Sequence, residues 1–389
     1  MIEFGDAAKP LWTLDDDMVF LNHGSYGATP RVVLEAQSEW RRRLEAQPCQ
    51  FINAVLPGAL RDAAAVLADF VGASAADLAF VENATSGVNA VLKSLMFTAG
   101  DEVVVTSHVY NAVRNALSFV LEPVGARLVV APVAMPVTAE KLADQVMAAV
   151  TSKTRLVVID HVASVSAVTF PVAEIAARAA ERGIPVLVDG AHAPGMLDLD
   201  VPATGAAWYV GNCHKWLCAP KGSAFLWADP ARQEGLHPTV ISHDLGKGFT
   251  AEFDKIGTRD PSAWLSVPTA IAFHEELGGP ALRERNRKVA VRAGEALAAE
   301  WGTGLGGPAS VFGSLVTVRL PARLPPTRES ADRLRAWLWD NRRIEVHAMP
   351  HTDSLWVRLS VQAYTSEAEC MSLAAAVPEA MAALGKDAA

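Results

Sequence analysis

From about residue 78 to residue 228, short apolar, β-branched runs alternate with stretches whose apolar residues recur at helical spacing. Segments 102–106, 127–131, 155–160, 185–189, 207–210 and 223–227 read as strands. Segments 87–97, 111–122, 139–150 and 172–182 read as amphipathic helices between them. Strands that are apolar on both faces, separated by helices, predict a mostly parallel sheet covered on both sides. In such a sheet a ligand sits at the carboxyl ends of the strands. After about residue 262 the texture changes. A long helical pattern over 280–301 ends in a breaker-rich stretch at 302–308, after which 314–320 and 355–360 read as strands and 327–341 and 366–383 as helices. This part reads as a compact α+β unit, and a chain of 389 residues exceeds what one core usually serves.

Composition narrows the function classes. The formal charge is −9, and the longest basic run is Arg41-Arg42-Arg43, so the chain has no nucleic-acid footprint. The four cysteines, Cys49, Cys213, Cys218 and Cys370, have neither metal-ligand spacing nor the pattern of a disulfide framework, so no metal and a reducing cytoplasm are expected. Residues 1–20 carry Glu3, Asp6 and Asp15-Asp16-Asp17 and lack the form of a secretory signal. No uninterrupted apolar run reaches membrane-spanning length, so a soluble protein away from membranes is expected.

Two positions carry the chemistry. Asp189 ends the apolar run Ile184-Pro185-Val186-Leu187-Val188, and Lys215 lies in the largely uncharged loop Gly211-Asn212-Cys213-His214-Lys215-Trp216. A pyridoxal phosphate enzyme needs this pair. The carboxylate keeps the pyridine nitrogen protonated so that the ring accepts electrons, and the lysine holds the aldehyde as a Schiff base. The segment Glu82-Asn83-Ala84-Thr85-Ser86-Gly87 precedes an apolar helical pattern, so its backbone N–H groups and the Thr85 or Ser86 hydroxyl form either a phosphate cradle or a simple helix cap. An aromatic cover for the ring is available from His108, the first choice, or Tyr110, which is also a candidate proton donor or acceptor opposite Lys215.

These stretches, with Leu21-Asn22-His23-Gly24-Ser25-Tyr26-Gly27, Val188-Asp189-Gly190-Ala191-His192 and Gly257-Thr258-Arg259-Asp260, resemble the class V, fold-type I pyridoxal phosphate enzymes, and within them the isopenicillin N epimerase-like group. The resemblance implies an α/β fold with a mostly parallel seven-stranded sheet sandwiched by helices and a smaller α+β C-terminal domain. It implies an N-terminal arm over 1–20 packing on the small domain, a cofactor-binding domain over 21–261, and a linking helix with the small domain over 262–389. Lys215 then carries the cofactor, Asp189 pairs with its ring nitrogen, and His192 sits near its phenolic oxygen. Ala84, Thr85, Ser86, Asn212 and His214 hold the phosphate, Ser164 joins the cofactor-binding set, and His108 stacks on the ring. Thr258 reaches the phosphate of a neighbouring subunit, so the resemblance implies a homodimer. Arg358, on a strand, forks onto the substrate α-carboxylate, with Asn22 and Arg259 as further substrate contacts. The implied reaction is Cα epimerisation of an amino acid, with transamination, C–S β-elimination and a non-catalytic binding protein of the same fold as alternatives. Residues 302–357 contain no cysteine, which speaks against a persulfide-forming desulfurase.

Overall fold

The computed structural model describes residues 3–386. Seven strands build the main sheet: β1 (Leu78–Val81), β2 (Glu102–Thr106), β3 (Arg127–Ala131), β4 (Thr154–Asp160), β5 (Val186–Asp189), β6 (Trp208–Asn212) and β7 (Ala224–Ala228). Their order is β1-β7-β6-β5-β4-β2-β3. Strand β7 is antiparallel to both its neighbours, so the other six run the same way and end at the same edge.

The period of two along each strand divides the apolar side chains between two cores. Val157, Ile159, Val186 and Val188 belong to the larger cluster on one face, and Leu156, Val158, Leu187 and Val210 to the smaller cluster on the other. Helices α1 (Ala84–Ser94) and α2 (Asn111–Leu121) supply the cover of the smaller core through Val88, Val91, Val113 and Leu117. The fully buried β2, β5, β6 and β7 match the continuous apolar runs of their sequence, while the partly exposed β3 is the edge strand.

A second, antiparallel sheet has the order β9-β10-β8, formed by β8 (Leu315–Arg319), β9 (His347–His351) and β10 (Ser354–Ser360). Its Val316, Val318, Leu355 and Val357 join the larger core. The chain start is stitched to this region: Gly5 N–H bonds to the Ala363 carbonyl, Val19–Phe20 pairs with Ile344–Glu345, and the Ser360 N–H bonds to the Leu21 carbonyl. This brings Asn22 beside Ser360 and therefore near Arg358 of β10.

Two strands lie outside the expected set: β1, although its run Leu78-Ala79-Phe80-Val81 is apolar and buried throughout, and β9, which carries Pro350. The helix expected from residue 87 begins at Ala84, because the Asn83 side chain caps it by accepting from the Ser86 N–H. The expected helix at 366–383 is two helices, Glu367–Met371 and Leu373–Lys386. The helical run Pro48–Phe70 is, by length and composition alone, apolar enough to cross a membrane, although Arg61, Asp62 and Asp69 interrupt its apolar residues. In this fold its Leu60, Ala63, Ala64 and Leu67 are buried in the larger core, and its Arg61 pairs with Asp254 at 2.6 Å.

Gly27 sets the approach of the N-terminal segment to the lysine loop. It has φ 73° and ψ 164°, a region essentially reserved for glycine, and a Cβ there would lie 2.0 Å from the His214 carbonyl oxygen. Gly27→Ala is expected to cost on the order of 1–3 kcal/mol from the backbone conformation alone, lowering Tm and displacing the loop that carries Lys215. A thermal melt with unchanged Tm would contradict this close approach.

Candidate active site

A cavity of about 310 Å³ opens where β1, β2, β4, β5 and β6 end, a size within the range of small-molecule sites. Asp160 and Asp189 form its floor. They are register partners at the ends of adjacent parallel strands, so both project from the same face of the sheet, that of the smaller core. Both are buried, at 3% and 4% exposure, and both line the cavity. Burial raises both carboxyl pKa values, and the neighbouring Asp189 raises Asp160 further. Asp189 is held down by the Ala191 N–H at 3.0 Å and by Lys215. The upward push is thus stronger at Asp160, which favours the proton there and the carboxylate at Asp189. Asp160 also accepts from the Tyr110 backbone N–H, which ties the turn after β2 to the floor.

Lys215 follows β6 and lines the same cavity, with its Nζ 3.1 Å from His192 Nε2. Desolvation lowers its pKa to about 7, with Arg358 adding to the drop and Asp189 and Asp160 opposing it. A large fraction of the side chain is thus a neutral amine near pH 7, the form that attacks a carbonyl carbon.

Arg358 lies just behind the cavity, 1% exposed. Its Nη1 donates to the Ser164 carbonyl at 2.5 Å and the Ser164 hydroxyl at 3.1 Å, and its Nη2 to Ser25 Oγ at 3.2 Å and Asn22 Oδ1 at 3.3 Å. Its Nε has no partner, and no acidic side chain pairs with it among the described residues. Burial lowers its pKa to about 10, so it remains charged at neutral pH. A buried cation held only by neutral oxygens is costly, and an incoming carboxylate is the complement it lacks. Asn22 is pinned by Glu345 at 2.7 Å and aims Arg358 from behind the cavity.

At the β1 end, the Ala84 N–H donates to Asn212 Oδ1 at 2.8 Å. Asn212 therefore presents its amide NH₂ to a ligand, while the expected Ala84 N–H is already used. Ser86 is also corrected: its hydroxyl and N–H both turn to Asn83 Oδ1, making it part of the helix cap. Thr85, Asn212 and His214 line the cavity, and His214 Nδ1–H donates to the Ser223 carbonyl at 2.9 Å. These donors at a helix N-terminus suit a phosphate.

The expected ring cover, His108, is elsewhere. It is fully buried outside the cavity, with Nδ1 on Ser166 Oγ at 2.6 Å and Nε2 on the Val133 carbonyl at 2.8 Å. Tyr110, 44% exposed, lines the cavity in its place. Arg259 does not line the cavity either; it pairs with Glu82 at the rim and stacks on Trp264 at 3.5 Å. Thr258 is exposed and outside this chain's cavity. Asp160 is the functional candidate that sequence reasoning missed. Its signal was present, since it ends an apolar strand as Asp189 does, but only the register shows the two side by side.

The arrangement fits pyridoxal phosphate on its donor set: a buried carboxylate for a ring N–H, a neutral lysine for an aldehyde, and amide, hydroxyl and imidazole groups for a phosphate. The profile for "Aminotransferase class-V" matches residues 20–322. The chain is 34% identical to isopenicillin N epimerase of Streptomyces clavuligerus, covering 96% of this chain and 97% of that protein. It is 33% identical to L-cysteine desulfhydrase of Arabidopsis thaliana, covering 84% and 73% respectively. A solved structure of the cystine C–S lyase C-DES with its product cysteine persulfide superposes with a TM-score of 0.79 at 21% identity, over 93% of this chain and 97% of that one. Fold and site together define a pyridoxal phosphate enzyme of the α/β type. The chain belongs to the class-V aminotransferase family.

Asp160→Asn tests the carboxyl pair in the cofactor-free protein. A buried acid with a raised pKa is protonated in the fold, so its contribution to stability is present below the ordinary carboxylate range and is lost as pH rises toward the folded value. Lys215, with a lowered pKa, contributes in the opposite sense, so the informative quantity is wild type minus variant. Thermal melts should show that difference falling as pH is raised above about 4. A difference that does not change with pH would contradict a protonated Asp160.

Proposed function

We propose that this protein is a pyridoxal phosphate enzyme that moves a proton at the Cα of an α-amino acid, acting as an amino-acid epimerase. The observation that carries this is the order of groups along the sheet edge. Lys215 follows β6, Asp189 and Asp160 end β5 and β4, and Tyr110 follows β2. Two titratable side chains thus flank the carboxylate that marks the ring nitrogen.

When bound, the cofactor supplies an electron sink that acidifies the Cα–H bond of an amino acid joined to it. Asp189 keeps the ring nitrogen's proton in place. Arg358 would hold the α-carboxylate through its unpartnered Nε and an Nη that exchanges its Ser164, Ser25 or Asn22 oxygen for the carboxylate, orienting the substrate. The neutral Lys215 amine takes the Cα proton on one side, and the Tyr110 hydroxyl returns a proton from the other, which inverts the centre.

A second reading, C–S β-elimination, is favoured by the cysteines. Burial raises the thiols of Cys213, Cys218 and Cys370, to about 12 for the last two, and exposed Cys49 does not line the cavity. No thiolate stands ready to take sulfur, so a cysteine substrate would release it as sulfide, the reaction named in the Arabidopsis relative. We also infer a homodimer, supported by the exposed Thr258 beside Arg259, which anchors this loop at the cavity rim through Glu82.

The test is incubation of the cofactor-loaded protein with L-amino acids and aminoadipyl peptides in deuterated water. Cα deuterium together with the D form supports epimerisation, whereas sulfide and pyruvate from L-cysteine replace that reading with the lyase. Tyr110→Phe should slow inversion by roughly 10²–10⁴-fold while Cα exchange with retention persists; normal inversion would remove Tyr110 from the mechanism. Arg358→Ala should raise KM for α-amino acids by roughly 10- to 100-fold and leave simple amines nearly unaffected. Equal losses on both would contradict the carboxylate assignment.

A further inference from the structure

Trp216 makes a contact whose direction chemistry fixes. Its indole Nε1 lies 3.2 Å from His192 Nδ1, and both side chains are buried, at 1% exposure each. An indole N–H donates and never accepts. His192 Nδ1 must therefore be unprotonated, and a neutral imidazole has only one other place for its proton, Nε2. That nitrogen faces Lys215 Nζ at 3.1 Å. With Nε2–H as donor, the lysine must accept, and only the uncharged amine has a lone pair to do so.

We propose that Trp216 is a positioning residue that locks His192 in the Nε2–H tautomer, and through it holds Lys215 as the neutral, cofactor-ready amine. The reverse tautomer would put two N–H groups against each other at Nδ1. It would also offer Lys215 an acceptor and so favour the ammonium. Protonating His192 breaks the indole bond in the same way, and burial together with Lys215, Arg358, His214 and His347 opposes that charge. Around Lys215 itself, burial disfavours charge most, Arg358 adds to that, and Asp189 and Asp160 oppose it, so the direction of the His192 bond adds to the side of the neutral amine.

The inference goes beyond the choice of reaction and rests only on the cofactor assignment. With the cofactor bound, the same Nε2–H would be available as a donor to its phenolic oxygen. A donor there would make that oxygen easier to ionise and lower the pH at which the cofactor's absorbance titrates.

Two measurements test this without assaying turnover. In the full-length protein stripped of cofactor, the pH profile of reductive methylation at Lys215, read by peptide mass spectrometry, should move upward in Trp216→Phe by about one pH unit. At pH 7 that is a roughly fivefold slower labelling. In the cofactor-loaded protein, the midpoint of the absorbance titration should move in the same direction. A folded Trp216→Phe protein with both midpoints unchanged would overturn the proposal. If the variant fails to fold, long-range ¹H–¹⁵N spectra of the wild type still decide the matter: a protonated Nε2 and bare Nδ1 on His192 are expected, and the opposite pattern would overturn it. Lys215 shifts that follow the proposal alongside a failed amino-acid screen would separate this inference from the choice of reaction.

Discussion

Two carboxyl groups buried side by side at the ends of parallel strands organise everything around them. Asp160 and Asp189 cannot both be ionised cheaply in a low-dielectric floor, so the pair settles with one proton and one charge. That single charge is surrounded by groups chosen to match it: a lysine lowered to near neutrality, a histidine kept uncharged, and a guanidinium held back by one layer of neutral oxygens. The site carries an internal charge imbalance that a ligand with a cationic ring nitrogen, an aldehyde and an anionic tail resolves. The fold's contribution is to keep these groups apart by fixed backbone spacing: Asp160 ends β4, Asp189 ends β5 with His192 just beyond it, Lys215 follows β6, and Arg358 lies within β10.

Connectivity explains why so few residues suffice. Six strands running one way deliver the ends of β1, β2, β4, β5 and β6 to one edge, and period-two alternation turns Asp160, Asp189 and Asn212 to the same face. The N-terminal segment then passes between Ile344–Glu345 and Ser360 and carries Asn22 and Ser25 to Arg358. Groups from opposite ends of the chain thus meet behind the cavity. The larger core, shared by both sheets, holds them in register.

Much of this was legible in the sequence. The strands 102–106 and 127–131 coincide with β2 and β3, and Asp189 and Lys215 stand out as a pair, an acid ending an apolar strand and a lysine in a small, largely uncharged loop, although either alone is more often structural. What escaped was relational. Asp160 ends its strand as plainly as Asp189, yet only register makes them a pair. His108 and Tyr110 lie two residues apart, and the turn after β2 decides that His108 is swallowed by Ser166 and Val133 while Tyr110 stays at the cavity. Ala84, Ser86 and Asn212 were all candidates for a phosphate, and the Asn83 cap and the Ala84–Asn212 bond show which of their donors are already used. Local pattern identifies residues with unusual chemistry, and three-dimensional neighbours determine which of their hydrogen bonds are still free.

The most direct measurement is borohydride reduction of the cofactor-loaded protein followed by peptide mass spectrometry. The account predicts a single phosphopyridoxyl group on Lys215, with colour and modification both lost in Lys215→Ala. A protein that binds no cofactor, or a reduced adduct on another lysine such as Lys221, would contradict the assignment on which the site rests.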